Sequence, residues 1–182
     1  MKKHGIFTIK ELRLECRVYN NKVFRGFKED NQLMQDVFLN QREADYLLSI
    51  EKHCNNDTPY QFTGFQDNLV IPLESVDKRE NFLLDLWSSG RITLKGTYQN
   101  RARSTFVLAR IDFNGKPHRN PDDVEVPCPH IHIYREGFGN RFAYPLPEDY
   151  FSNPDDLNIT LQEFFKYCNI TKQPNIVTGL LL

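Results

Sequence analysis

Three of the chain's five histidines, His118, His130 and His132, lie in one stretch from Arg110 to Leu146, RIDFNGKPHRNPDDVEVPCPHIHIYREGFGNRFAYPL. HIHIY reads as a strand, and the two-residue alternation of a strand places His130, His132 and Tyr134 on one face with Ile131 and Ile133 on the other. His118 sits in GKPHRNPDD, a loop rich in turn residues, which can fold back to face the pair. Asp112 or Asp122 is close enough in sequence to orient one ring. Two imidazoles beside a cation are what metal-free RNA cleavage requires: one takes the 2′-hydroxyl proton, the other protonates the leaving oxygen, and a guanidinium stabilises the phosphorane. The catalytic candidates are therefore His118, His130, His132, Asp112 and Arg135, with Arg110 and Arg119 also placed for the cationic role.

Two other readings of the same residues stay open. His-x-His plus His118 supplies three imidazoles, enough for a catalytic metal site with an open position, so a bound divalent metal stands against no cofactor at all. The bland reading is a half-buried, hydrogen-bonded face with no chemistry. Other catalytic signatures are missing: REGFGNR lacks the third glycine of a dinucleotide site, and there is no P-loop lysine, GxSxG or HExxH.

Around the histidines, Arg91, Lys95, Arg101, Arg103, Arg110 and Arg119 fall on or beside the same expected sheet, with Tyr98 and Tyr134 interleaved. Basic residues with aromatics between them suit unpaired RNA, whose phosphates need cations and whose bases stack on rings. The acidic residues concentrate elsewhere, in 29–45, 74–85 and 148–163, which predicts a molecule with separated charge. The opposing reading is the solvated face of an amphipathic sheet.

The elements that must hold these groups form an α+β pattern. Residues 1–38 read as an appendage: LRLECRVY and KVFRGF flank the turn candidate Asn20-Asn21 as a hairpin, with a helix from Ile9 to Arg17 as the alternative. Residues 39–182 read as the core domain. There Asn40 can cap a helix with Glu43 as its capping-box partner, running to about His53. NLVIPL follows as an edge strand, because Pro72 cannot donate to a ladder. Strands at 81–87, 91–99 and 104–113 form an antiparallel meander, with Phe106, Leu108 and Arg110 sharing one face of the third. A second helix starts at Thr160 with Leu161, Phe164, Phe165 and Cys168 on one side, and NIVTGLLL ends the chain as a strand or a docked tail. The expected architecture is an antiparallel meander sheet flanked by two helices.

Bulk composition excludes several classes. The 182 residues are 40% hydrophobic and 26% charged, with a net charge of -1 and a mean hydropathy of -0.57. One domain of this size buries a core without staples. No run reaches the length of a membrane span, and no apolar run follows Lys2-Lys3, so a cytoplasmic protein is expected. Four cysteines without CxxC spacing argue against a zinc ribbon or a disulfide scaffold.

LNQREADYLLSIEK, ARIDFNGKPHRNPDD and above all CPHIHIYREGFGNRFAYPLP resemble an uncharacterised family of small proteins carried by phages and mobile elements of Gram-positive bacteria. The resemblance spans Leu39 to the end of the chain. With residues 1–38 in front, the whole chain resembles type II-A anti-CRISPR proteins. That resemblance implies a type II RNA-guided CRISPR nuclease and its guide RNA as partners, a bacterial host cell as the location, and inhibition as the role. It implies no catalytic motif, so truncation of the guide RNA, purely steric inhibition and metal-dependent hydrolysis remain distinct expectations.

Overall fold

The computed structural model describes residues 39–64, 66–89 and 95–178. The expected N-terminal hairpin, Arg91 and the last four residues lie outside them. The described residues open with helix α1 (Gln41–Ser49), where the Asn40 side chain accepts a hydrogen bond from the Glu43 amide as the capping pattern requires. Two short strands follow, β1 (Lys52–His53) and β2 (Tyr60–Phe62), then β3 (Asp67–Ser75), β4 (Asn81–Ser88), β5 (Gly96–Ala102) and β6 (Phe106–Phe113). Next come the hairpin β7 (His118–Arg119) and β8 (Glu125–Val126), then β9 (His130–Ile133) and β10 (Ala143–Pro145). Helix α2 (Leu157–Tyr167), β11 (Ile170–Lys172) and β12 (Ile176–Thr178) complete the order.

Among the described residues the main sheet has eight strands in the order β10-β9-β6-β5-β4-β3-β1-β11, antiparallel except for the β1–β11 pair. Only Glu74 and Ser75 of β3 pair with β1, so Pro72 does sit where its missing N–H costs no ladder bond. One face of the sheet carries Ile71, Leu84, Leu86, Tyr98, Ile111 and Ile131, which join Leu47 and Leu48 of α1 and Leu161, Phe164 and Phe165 of α2 in a single core. Tyr98 lies edge-on to Phe113, and its hydroxyl donates to the Leu157 carbonyl, which ties α2 to the sheet. No helix among the described residues is long and apolar enough to cross a membrane.

Several boundaries differ from the sequence reading for identifiable reasons. α1 stops at Ser49 because Lys52-His53 is drawn into the sheet between β3 and β11. α2 begins a turn early: Asp156, not Thr160, is the N-cap, its carboxylate accepting from the amides of Asn158 and Ile159. Thr160 is buried one turn in, with its hydroxyl donating to the Asp156 carbonyl. The middle strand of the meander runs through Asn100 and Ala102, which pushes the turn to Arg103 and Ser104. Both take left-handed φ, 49° and 62°, and ion pairs from Arg103 to Glu80 and Glu43 hold the turn there. Register against β5 shifts at Asn100/Arg101, so Leu108 is buried with the core instead of sharing Arg110's exposure.

Lys52 is fully buried yet polar. Its Nζ donates to the carbonyls of Leu48 (3.0 Å), Ile50 (2.9 Å) and Cys168 (2.9 Å), so one ammonium closes the C-terminal ends of both helices. Unpaired carbonyls gather at such ends, and a cation there also meets the negative pole of the helix dipole. The charge lies 4.7 Å from the centre of the Phe82 ring.

Candidate active site

The face of the sheet opposite the core carries two rows of side chains that run across the strands. Register places Asn68, Trp87, Thr97, Asp112 and His130 in one row, and Val70, Asp85, Gln99, Arg110 and His132 in the next. These rows floor a groove of about 720 Å³, with Lys116, Pro117 and Cys128 among the residues lining its histidine end. With neighbouring strands about 4.8 Å apart, Trp87 lies roughly 14 Å from His130 along its row.

At that end His118, His130 and His132 converge, one ring nitrogen from each lying within 4.8 Å of the others. The ring centroids of His118 and His132 are 4.6 Å apart, and those of His130 and His132 are 5.0 Å apart. Each ring spends one nitrogen on a backbone carbonyl: His118 Nε2 on Arg141 (2.8 Å), His130 Nδ1 on Pro127 (3.2 Å) and His132 Nδ1 on Asn140 (2.9 Å). A carbonyl only accepts, so those nitrogens of His118 and His132 carry the hydrogens, and His132 Nε2 accepts from Arg110. His130 lies between acceptors on both sides, the Pro127 carbonyl at Nδ1 and Asp112 at Nε2, with Cys128 Sγ 3.4 Å from Nδ1.

Asp112 completes the cluster. Its Oδ2 lies 3.2 Å from His132 Nε2 and 3.6 Å from His130 Nε2, accepts from Arg110 at 2.8 Å, and its Oδ1 accepts from the Thr97 hydroxyl at 2.9 Å. Burial opposes the charge, but His130, His132 and Arg110 together outweigh it and hold the carboxyl far below the usual range. Burial works the other way on His132, lowering its pKa against the pull of Asp112 and keeping the ring neutral. Arg110 donates to Asp112 and, at 2.9 Å, to His132 Nε2.

Of the catalytic candidates, the structure assembles His118, His130, His132 and Asp112. Arg135 is elsewhere: its guanidinium stacks 4.1 Å over Phe142 in the turn after β9, and Arg110 is the cation at the cluster. The RNA-binding candidates divide similarly. Arg110, Arg101 and Lys95 line the groove. Tyr98 and Tyr134 are buried in the core and cannot stack on a base; Tyr134 leaves the histidine face because β9 ends at Ile133, and its hydroxyl donates to the Leu39 carbonyl. Arg103 is held by Glu80 and Glu43, and Arg119 by Glu125 and Asp123. The expected separation of charge is overturned here, because β4 lies beside β5 and presents Asp85 to Arg101 at 2.6 Å.

The largest groove residue missed in the sequence is Trp87, 44% exposed. Its signal was available: in NFLLDLW the alternation puts Trp87 on the face of Asp85, opposite Leu84 and Leu86. Lys116 is a second omission. It lines the groove, and no ion pair to it or to Lys95 is found among the described residues.

Comparison with known proteins matches a family model described as a family of unknown function, DUF6978, over residues 39–170, which takes in the groove, the histidine cluster and nearly all of the sheet. No curated protein and no solved structure matches the chain.

Proposed function

The chain belongs to the family of unknown function DUF6978, and on that premise we propose that it is a phage-encoded inhibitor of the type II RNA-guided DNA nuclease that binds the nuclease with its guide RNA and truncates the RNA at the histidine cluster. The resemblance of the whole chain to type II-A anti-CRISPR proteins supports the inhibitor role. One geometric observation supports RNA as the substrate: the row that leads from the exposed Trp87 through Thr97 and Asp112 to His130. An indole is a stacking platform for an unpaired base, and Lys95 and Lys116 supply charge for the phosphates. The row ends where a phosphodiester would meet lone-pair nitrogens, a carboxylate and a guanidinium.

In the reaction the 2′-oxygen bonds to phosphorus and gives its proton to the cluster. The 5′-oxygen leaves and takes a proton, yielding a 2′,3′-cyclic phosphate and a 5′-hydroxyl. Arg110 is placed to neutralise the charge that gathers on the phosphoryl oxygens. The exposed acidic residues Glu148, Asp149 and Asp155 suit the positively charged surfaces by which such a nuclease holds nucleic acid.

The test is guide RNA on a denaturing gel after incubation with substoichiometric protein, alone and preassembled with the nuclease. Shortened RNA that disappears with His118→Ala supports the reading. Intact RNA under every condition sinks it, and inhibition that persists with intact RNA points to steric binding alone. A companion prediction concerns the stacking platform: Trp87→Ala should weaken binding of single-stranded RNA by about 1–3 kcal/mol. Fluorescence anisotropy with a short labelled oligonucleotide measures it, and unchanged affinity would remove Trp87 from the substrate path.

A further inference from the structure

We propose that His118, His130 and His132, with Asp112 beside them, form a binding site for one divalent first-row transition-metal ion. The strongest observation is the way the rings are turned. Three separate backbone carbonyls, those of Arg141, Pro127 and Asn140, each face one nitrogen of a ring and leave its other nitrogen turned away from them. Metal-bound histidines are oriented in this way, by a hydrogen bond from the nitrogen that does not touch the ion.

The second observation is the carboxylate beside the rings. Asp112 Oδ2 lies 3.6 Å from His130 Nε2 and 3.2 Å from His132 Nε2, so an anionic oxygen borders the same space as the ring nitrogens and favours a cation there. Three imidazoles with one open position are the ligand set of catalytic zinc. The rings must close from 4.8 Å toward the roughly 3.3 Å spacing of nitrogens around a tetrahedral ion with bonds near 2.0–2.1 Å. His118 is carried on the small β7–β8 hairpin, separate from the main sheet, so it is the ring best placed to move.

Arg110 bears directly on this assignment. Its guanidinium now bonds both His132 Nε2 and Asp112 Oδ2, and two cations do not share that position. Metal entry therefore turns Arg110 into the groove, toward the place where a phosphate would lie. The inference deepens the proposed function by naming the group that would activate the attacking oxygen, since a bound ion lowers the pKa of an oxygen it holds. Binding itself does not depend on RNA being the substrate.

The experiment titrates chelator-stripped full-length protein with Co²⁺ and follows the visible absorption of a tetrahedral cobalt site, with Zn²⁺ competition for affinity. One equivalent per chain is expected, with binding at least a hundredfold weaker in His118→Ala and several-fold tighter in Arg110→Gln. Because His118 is half-exposed, circular dichroism should show the His118→Ala variant folded. Nitrogen-15 imidazole spectra of the metal-free wild type give a readout without substitution: the hydrogen on Nε2 of His118 and on Nδ1 of His132. No stoichiometric binding, equal affinity in His118→Ala, or weaker binding in Arg110→Gln would overturn the assignment. A guide-RNA gel with and without EDTA separates the two proposals: metal bound with RNA intact sinks the nuclease reading alone, and RNA cut equally in EDTA by metal-free protein sinks the metal's role alone.

Discussion

Replacing Lys52 by methionine is expected to lower stability by about 2–4 kcal/mol. The methionine keeps the buried stem but leaves the carbonyls of Leu48, Ile50 and Cys168 without their donor. Hydrogen bonds to a charged group contribute about 1.5–3 kcal/mol each, and the ends of two helices meet the same ammonium. Against this stands the cost of desolvating the charge, which brings the Lys52 pKa from 10.5 down to about 8 and amounts to about 3 kcal/mol. Three bonds outweigh one desolvation, so the lysine is net stabilising at neutral pH. Urea unfolding at pH 7.5 measures the difference, and a methionine variant as stable as wild type would refute this accounting.

The same group gives the fold a signature in alkali. Because the folded pKa of Lys52 lies below its unfolded value, the unfolded chain binds the extra proton between pH 8 and 10.5. Stability from this group therefore rises with pH across that window. Cys168 faces Lys52 and acts in the opposite sense: burial pushes its thiol up to about 12, so its contribution is complete below pH 9 and declines above it. Buried Tyr98 likewise favours its neutral form. Both remain in the Lys52→Met variant, and because the folded Cys168 thiol stays neutral through pH 9.5 with or without the neighbouring ammonium, the gap between wild type and variant should widen from pH 7.5 to 9.5. A gap that narrows would mean that the ammonium, not the neutral amine, is the better-held form.

Local signals carried the sequence reading well where one element decides the outcome. The Asn40 cap, the Leu161/Phe164/Phe165 stripe and the HIHI strand each depend on residues a few positions apart, and all three are present. The cluster of three histidines was legible for a related reason, because a turn-rich loop of limited length must return close to its own strand. What the sequence did not disclose depends on neighbours far along the chain. Asp85 meets Arg101 only because β4 and β5 pair in a particular register, and that pairing overturned the expected separation of charge. Tyr98 and Tyr134 looked like stacking residues until the core claimed them, whereas Trp87, at a strand end that also reads as apolar, is the aromatic left in the groove. Arg110, Arg119 and Arg135 were all open for the cationic role in the sequence, and Arg110 fills it because it stands directly across from His132 in β6. Cross-strand register, which composition does not encode, decided the Asp85 and Arg110 cases, and the end of β9 decided Tyr134.

Asp112→Asn should be the most damaging change in the groove, reducing guide-RNA truncation at least a hundredfold while preserving the shape of the side chain. The carboxylate touches four groups at the cluster: Arg110, His130, His132 and, through its second oxygen, Thr97. An amide in its place presents to Arg110 either an oxygen without full charge or an N–H, which a guanidinium cannot accept. Arg110 then loses its ion pair, and leaving a partly buried charge unpaired costs about 3 kcal/mol. A loss of stabilisation of that size in the transition state corresponds to roughly a hundredfold in rate. The control is Glu80→Gln, which breaks an equally short contact, Arg103 to Glu80 at 2.7 Å, at the more exposed β5–β6 turn. There solvent replaces what is lost, and the expected cost is under about 1 kcal/mol with no effect on RNA. Single-turnover cleavage and urea unfolding on both variants distinguish the cases. If Asp112→Asn cleaves as wild type does, the cluster is a structural feature of the sheet and the site of action lies elsewhere on the molecule.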